Sequence, residues 1–346
     1  MKSIILVGGE GTRLRPLTYS VVKSMVPVAN KPFIEHALAR LAQHNINEIV
    51  LAMGYKPDSI FEYFGKKTGM DIKLTYSLEE KPLGTAGAVK HASQHIDETL
   101  FVLNGDVFSD IDYTAMLNFH RQNKAQVTIA LTHVDDPTKF GVVETDKNGR
   151  VKRFIEKPKW EDVTSHWINA GVYIMEPGVV DYIPEDVFYM FEKGVFPNML
   201  EKGEPVYAYA SDAYWIDMGT PEKYHQLNND ILCGKCVSPL YKAMPLISGP
   251  GTKIHTTAHI SGPILTGAGC IIEENAELEG PVILGDGCHI KKGARIINSI
   301  LWDNIIAGEK ASITNSIIAS GDNIENGIRI DGLTINHEAP AETGGK

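Results

Sequence analysis

The strongest constraint on this chain is a repeat in its C-terminal part. Ile254, Ile260, Ile272, Leu278, Ile290 and Ile296 are separated by 6, 12, 6, 12 and 6 residues. Ala258, Ala276 and Ala294 keep an 18-residue step, as do Ile264, Val282 and Ile300. The segments ISGPILTGAGC and LEGPVILGDGC align without a gap, and Asn298-Ser299-Ile300 recurs as Asn315-Ser316-Ile317 after 17 residues. Neither a heptad nor a propeller has this period. Eighteen residues in hexad units make one coil of a parallel β-helix, with three flats that each turn one aliphatic side chain inward. A left-handed parallel β-helix of about four coils is expected over 254–332. Cys270 and Cys288, one coil apart, are expected to stack as small packing residues. The remaining 333–346, polar and rich in small residues, reads as a disordered tail.

Residues 1–235 follow a different pattern. Short β-rich runs (Ile4–Val7, Glu48–Met53, Leu100–Leu103) alternate with amphipathic stretches (Ile34–Leu41, Ala86–Ile96, Thr114–His120). This βαβα order implies an α/β fold with a doubly wound, mostly parallel sheet. Gln126–Thr132, Gly141–Glu144 and Val151–Ile155 alternate more strictly, and Asp146-Lys147-Asn148-Gly149 is a turn sequence between the last two. An antiparallel hairpin is expected there, making the sheet mixed. Residues 236–253 hold Pro239, Pro245 and Pro250 without periodicity and read as a connector. Two domains also suit 346 residues at roughly 150 residues per domain.

A net charge of −10 argues against a nucleic-acid groove. It leaves room for a phosphorylated small molecule, which a few local cations can hold. No segment reaches the ~18 apolar residues of a membrane span. The start, MKSIILVGGEG, lacks the apolar core and cleavage site of a signal peptide, so a cytoplasmic location is expected. Four cysteines are too few for a disulfide scaffold. Cys233-Gly-Lys-Cys236 matches C-x-x-C, but zinc would need two more ligands and a thioredoxin-like pair would follow a first strand, so ordinary cysteines near a helix end are the default.

The first strand runs into Gly8-Gly9-Glu10-Gly11-Thr12-Arg13-Leu14-Arg15. Glycines after a buried strand let the chain turn tightly and aim several N–H groups at one anion, and two cations follow. The string lacks the Gly-Lys-Ser/Thr ending of a P-loop and the third glycine of a dinucleotide fingerprint. Alone it is equally a glycine-rich turn with solvated arginines. Further strings accompany it in order: Lys23-Ser24-Met25-Val26-Pro27-Val28, Asn30-Lys31-Pro32, Leu83-Gly84-Thr85-Ala86-Gly87-Ala88, Leu103-Asn104-Gly105-Asp106, Phe140-Gly141-Val142-Val143, Phe154-Ile155-Glu156-Lys157-Pro158, Ile168-Asn169-Ala170-Gly171-Val172-Tyr173 and Trp215-Ile216-Asp217-Met218-Gly219-Thr220-Pro221. Together they resemble the signature of the sugar-1-phosphate nucleotidyltransferases. With Phe191-Glu192-Lys193-Gly194-Val195-Phe196-Pro197 and the trailing β-helix, the resemblance is nearest to the mannose-1-phosphate guanylyltransferases. Ser24 departs from the proline that most members carry after the lysine.

The resemblance implies a Rossmann-like nucleotidyltransferase domain and an in-line attack of a sugar-phosphate oxygen on the α-phosphorus of an NTP. Two anions meet, so the barrier is charge repulsion plus orientation. A magnesium ion addresses both, and Asp106 and Asp217, each after a short apolar run, are the implied ligands. A lone Asp at a strand end is otherwise a turn or helix cap. Arg13 is expected on the departing pyrophosphate and Lys23 on the α-phosphate. Gly8, Gly9, Gly11, Thr12, Gly84, Thr85 and Gly105 are expected around the nucleotide. Lys157 is expected to grip the sugar phosphate, with Glu156 and Asn169 on sugar hydroxyls and Gly141 and Gly171 allowing close approach. Without the motifs, Lys23 and Lys157 would read as solvated surface charges. Glu79 stands where pyrimidine-selective relatives carry glutamine. A carboxylate suits the paired N–H donors of guanine, which favours GTP, with Glu80 one residue away as the other candidate.

Three other readings remain: a glucose-1-phosphate thymidylyl-, uridylyl- or adenylyltransferase; a regulatory subunit that binds sugar nucleotides without turnover; and a bifunctional enzyme whose β-helix transfers acyl groups using His255, His259 or His289. Fold analogy implies a homo-oligomer, dimer or higher, formed through the β-helix.

Overall fold

The structure, a computed structural model, describes residues 1–346 except 20, 55–56, 66–69, 95–96, 320–322, 333–334 and 337–346. The chain divides into two compact units: Met1–Gly9 with Ala37–Trp215, and Glu10–His36 with Ile216–Lys346.

The first unit is built on a mixed sheet whose order is Val151–Glu156, Gly141–Thr145, Trp167–Met175, Leu100–Asn104, Lys2–Leu6, Glu48–Met53, Lys73–Leu78. The last four of these strands run parallel to one another, and Trp167–Met175 runs antiparallel to Leu100–Asn104. Ile4, Ile5, Phe101 and Val102 are wholly buried, as a strand covered on both faces requires. The first strand lies between the second and the fourth of this parallel set, so connections leave it on both sides. That reversal is a topological switch point at the carboxyl ends of Lys2–Leu6 and Leu100–Asn104, the position where doubly wound sheets bind ligands. The hairpin forms as expected: Thr145 pairs with Val151, and the turn is closed by Asp146 N–H to the Arg150 carbonyl at 2.9 Å. The helix expected over Ala86–Ile96 begins earlier, at Gly84, and ends at Ala92, capped by Ser93. Residues 95–96 lie outside the described residues.

The second unit contains the parallel β-helix, of the left-handed hexad type, with six strands on one flat and five on each of the others. This exceeds the expected four coils, because both ends extend past the clear repeat. Leu246–Ser248, inside the expected connector, already pairs in parallel with Ile264–Thr266, and Ile335–Asn336, inside the expected tail, pairs with Ile317–Ile318. Residues 337–346 lie outside the described residues. The 18-residue step also fails at one point. Ile264 faces Val282, but Ile300 sits beside Ile283, a 17-residue step that then continues to Ile317. The turn Asn298-Ser299 replaces Gly280-Pro281 with one residue fewer to the next flat, so the whole coil closes shorter. Cys270 and Cys288 are fully buried among the coil's aliphatic residues, and their thiols donate to the carbonyls of Gly285 and Trp302.

The sequence boundary near 235 falls inside this second unit. The helix Pro221–Leu232, capped by Thr220, is tied to the coils and to the 27–30 turn. Tyr224 Oη donates to the Pro27 carbonyl at 2.7 Å and accepts from Trp302 Nε1 at 2.9 Å. Asn228 Oδ1 accepts from Ala29 N at 2.7 Å, and Asn30 Nδ2 donates to the Leu284 carbonyl at 2.7 Å. Ala29 and Asn30 both have positive φ, the type I′ geometry of a two-residue hairpin loop. These buried hydrogen bonds join segments some 200 residues apart, which periodicity cannot reveal.

His36 is sealed in this unit, 2 % exposed, with Nε2 donating to the Val28 carbonyl at 3.0 Å. Burial, helped by nearby Lys31, lowers its pKa from 6.5 to about 4 against the opposing Val28 hydrogen bond. The unfolded chain therefore takes up this proton first as pH falls. Stability from neutral His36 is complete above pH ~6.5 and falls by about 1.4 kcal/mol per unit between there and pH ~4. His36→Gln, which keeps a donor for Val28 but does not titrate, should flatten that limb of the urea stability–pH curve. An unchanged limb would show that other groups control it.

Candidate active site

The candidate residues fall into two sets, each drawn together within its own unit. In the second unit the glycine loop folds back on Lys23. Gly11 has φ +65°, and a Cβ there would stand 2.9 Å from Lys23 Cβ and 3.1 Å from Thr18 Cγ2, so both backbone and space demand glycine. Thr18 Oγ1 donates to the Gly11 carbonyl at 2.9 Å, and buried Leu14 and Leu17 anchor the turn. Thr12 and Arg13, both exposed, begin the 3₁₀ turn Thr12–Leu14.

Lys23 lies in a second 3₁₀ turn, Lys23–Met25, closed by Met25 N–H to the Val22 carbonyl at 2.8 Å. Ser24 is buried and the turn holds without proline. Lys23 is 7 % exposed, and its Nζ stands 3.8 Å from Asp217 Oδ1. That oxygen is buried and has no hydrogen-bond partner among the described residues. A Cβ on Gly219 would lie 3.2–3.3 Å from both Asp217 carboxylate oxygens and 3.3 Å from Arg13 Nη2. Arg13 and Asp217 thus converge on Gly219, a residue quoted within a motif but given no role. Two cations and a carboxylate thus come from three separate segments, a chemistry that suits phosphate oxygens and a hard cation.

The first unit holds the other set. Gly8 and Gly9 follow the strand Lys2–Leu6, both exposed, with nothing within 4 Å of where a Cβ would be. Gly105 is pressed onto that strand: its N–H donates to the Leu6 carbonyl at 2.9 Å, and a Cβ would meet that oxygen at 2.5 Å. This fixes the backbone of Asp106 just past the carboxyl end of the strand Leu100–Asn104. Asn104, just before, has a buried Oδ1 without a hydrogen-bond partner among the described residues.

Glu79 Oε2 accepts from Leu83 N at 3.0 Å, while Glu80 is exposed. Gly84 and Thr85 meet the 189–192 segment rather than open space. A Gly84 Cβ would touch the Tyr189 carbonyl at 2.6 Å, and Thr85 Oγ1 donates to Glu192 Oε2 at 3.2 Å while accepting from Phe191 N at 3.1 Å. A Cβ on Gly141 would meet the Phe154 ring at 2.5 Å and Glu156 Oε2 at 3.0 Å, so glycine leaves room for both. Lys157 Nζ is 3.7 Å from Glu156 Oε1 and largely exposed. Its backbone is left-handed, φ +49°, a conformation held by its N–H to the Phe140 carbonyl at 3.0 Å. A non-glycine residue kept there costs about 1–3 kcal/mol, and such strain gathers at functional sites. Asn169 Oδ1 accepts from Gly171 N at 3.0 Å, and its Nδ2 donates to Tyr173 Oη at 2.8 Å. A Cβ on Gly171 would lie 2.8 Å from Asn104 Nδ2. Tyr173 and Glu192, both given no role from the sequence, share a hydrogen bond of 3.4 Å. Burial is the largest influence raising both their pKa values.

The family model described as Nucleotidyl transferase matches residues 2–233, and one described as GMPPB C-terminal domain matches residues 260–339. A mannose-1-phosphate guanylyltransferase of Mycobacterium tuberculosis is 42 % identical over 239 residues, 68 % of this chain and 66 % of that protein. The catalytic subunit beta of mannose-1-phosphate guanylyltransferase of Drosophila melanogaster is 39 % identical over 263 residues, 72 % of this chain and 67 % of its own. The match thus spans about two thirds of these relatives' length. Among solved structures, HddC from Yersinia pseudotuberculosis complexed with GMP-PN is 29 % identical with a TM-score of 0.57, covering 66 % of this chain and 97 % of its own. A putative glucose-1-phosphate thymidylyltransferase from Bacillus anthracis in complex with a sucrose is 26 % identical with a TM-score of 0.59, covering 66 % and 94 %. No helix among the described residues is long and apolar enough to cross a membrane. With the doubly wound sheet, the glycine loop folded on Lys23 and a family match over most of the catalytic part, the chain belongs to the nucleotidyl transferase family.

Proposed function

We propose that this protein transfers a nucleoside monophosphate from an NTP, with GTP favoured, to a sugar 1-phosphate, with mannose 1-phosphate favoured, releasing pyrophosphate. The observation that carries the reading is the pairing of buried Lys23 with half-buried Asp217 beside Arg13, since such a cluster is costly unless anions and a cation use it. Arg13 binds the departing phosphates, with the N–H groups of Gly8, Gly9 and Gly11 around them. Lys23 neutralises the α-phosphate as charge develops. Lys157 holds the phosphate of the incoming sugar, Glu156 accepts from its hydroxyls and Asn169 donates to them.

Magnesium fits the donor set, because Asp217 offers a buried carboxylate oxygen that has no hydrogen-bond donor among the described residues. Asp106 is the second proposed ligand. When bound, the ion supplies charge neutralisation between the two phosphates.

The guanylyltransferase names of the relatives and the GMP-PN complex support GTP and mannose. Glu79 Oε2 accepts from Leu83 N, which leaves Oε1 and a second lone pair on Oε2 for guanine's paired N–H donors. A homo-oligomer is proposed through the β-helix, whose last coils leave Ile328 42 % exposed. A cytoplasmic location is proposed from the sequence alone.

Incubating the protein with Mg²⁺, each NTP and each common sugar 1-phosphate, and measuring pyrophosphate, tests the reading. GTP with mannose 1-phosphate should give the highest kcat/KM. Preference for dTTP or UTP would overturn the guanine assignment, and no release from any pair would overturn the enzyme.

A further inference from the structure

Asn169 has two amide hydrogens and two oxygen lone pairs, so which end meets a ligand depends on what holds the other end. The Gly171 N–H takes Oδ1 at 3.0 Å, and Tyr173 Oη accepts from Nδ2 at 2.8 Å. A phenol can accept from Asn169 only if its own hydrogen points elsewhere. That hydrogen goes to Glu192 Oε1 at 3.4 Å, and the other carboxylate oxygen is held by Thr85 Oγ1 at 3.2 Å. Thr85 in turn accepts from Phe191 N at 3.1 Å, so its hydroxyl hydrogen is also directed at the carboxylate. Every donor in the chain therefore runs towards Glu192. Tyr173 is fully buried, so no water supplies an alternative partner for its hydroxyl.

We propose that Glu192 is a positioning residue for the sugar side of the site: by accepting from Tyr173 and Thr85 it holds the Asn169 amide in one orientation, with its second amide hydrogen available to the sugar 1-phosphate. The second Nδ2 hydrogen suits an acceptor on the ligand, a hydroxyl lone pair or a phosphate oxygen. The inference rests on the proposed role of Asn169.

Glu192→Leu removes both acceptor atoms, Glu192→Gln keeps one oxygen for Tyr173, and Tyr173→Phe removes the relay itself. Losing one oriented hydrogen bond is worth roughly tenfold in affinity. Glu192→Leu and Tyr173→Phe should each raise KM for the sugar 1-phosphate about tenfold, with kcat and the KM for NTP within about twofold. Glu192→Gln should stay within about threefold of wild type, and the Leu/Phe double variant should be no worse than either single. Calorimetric titration with the sugar 1-phosphate reads the same contrast without turnover. If Glu192→Leu fails to fold, Tyr173→Phe against Glu192→Gln carries the test. Unchanged sugar affinity in Tyr173→Phe, additive effects in the double variant, or equal losses for both substrates would overturn the inference. Wild type that binds the sugar phosphate but releases no pyrophosphate would overturn the proposed reaction and leave this contrast measurable.

Discussion

Lys23→Met should lower folding stability by about 3 kcal/mol and reduce pyrophosphate release by about 10²–10³-fold. The two losses have one origin. Lys23 is 7 % exposed, and its Nζ lies 3.8 Å from a carboxylate oxygen of Asp217 that has no hydrogen-bond partner among the described residues. Methionine fills much the same volume but removes the cation that faces that carboxylate oxygen, leaving the Arg13 guanidinium nearby. The 3.8 Å separation and the 18 % exposure of the Asp217 side chain place the cost at the low end for a broken buried pair. Turnover falls further because the cation that would meet the charge developing on the α-phosphate is gone. Lys23→Arg should keep more of the stability than of the activity. Its charge survives, but the planar guanidinium must fit beneath a loop already at contact distance from the Lys23 stem. Urea melts and pyrophosphate assays on both variants check this. A methionine variant with wild-type stability and turnover would show the pair to be a surface contact.

Asp106→Ala should behave differently, with turnover down by about 10³-fold and a smaller loss of stability than Lys23→Met. Its backbone is placed by its neighbour: Gly105 is held against the Leu6 carbonyl, and no side chain at 105 is tolerated there. Removing the Asp106 carboxylate leaves that anchor intact. Pyrophosphate release with thermal melts separates loss of chemistry from loss of fold. Full activity would remove Asp106 from the proposed metal site, and a large fall in melting temperature would make it a structural residue.

These expectations draw on two kinds of legibility. The β-helix was readable because an inward aliphatic residue every hexad is a local rule, obeyed wherever a flat forms. It failed where the rule is overridden: the 17-residue coil after Val282, and the first and last strands, Leu246–Ser248 and Ile335–Asn336. The strands of the sheet were likewise visible as buried apolar runs. The ordered motifs pointed to Arg13, Lys23, Asp106, Lys157 and Asp217 without geometry. The partners of those residues were not visible. Nothing in spacing links Thr85 to Glu192, 107 positions apart, or marks Gly219 as the point where Arg13 and Asp217 meet. Thr85, expected at the nucleotide, spends its hydroxyl on Glu192, and Glu79, expected at the base, spends one oxygen on Leu83.

By itself, then, the sequence determined the two architectures, the repeat that builds one of them and the set of charged residues through which a phosphate reaction can run. Each depends on periodicity or on a short contiguous string, which the chain carries in one dimension. Only the tertiary structure decided that residues 10–36 and the helix Pro221–Leu232 form one unit with the β-helix, and which way the Asn169 amide faces. The reason is physical: a buried hydrogen-bonding group must be satisfied by whatever lies beside it, and the fold chooses that neighbour from anywhere along the chain.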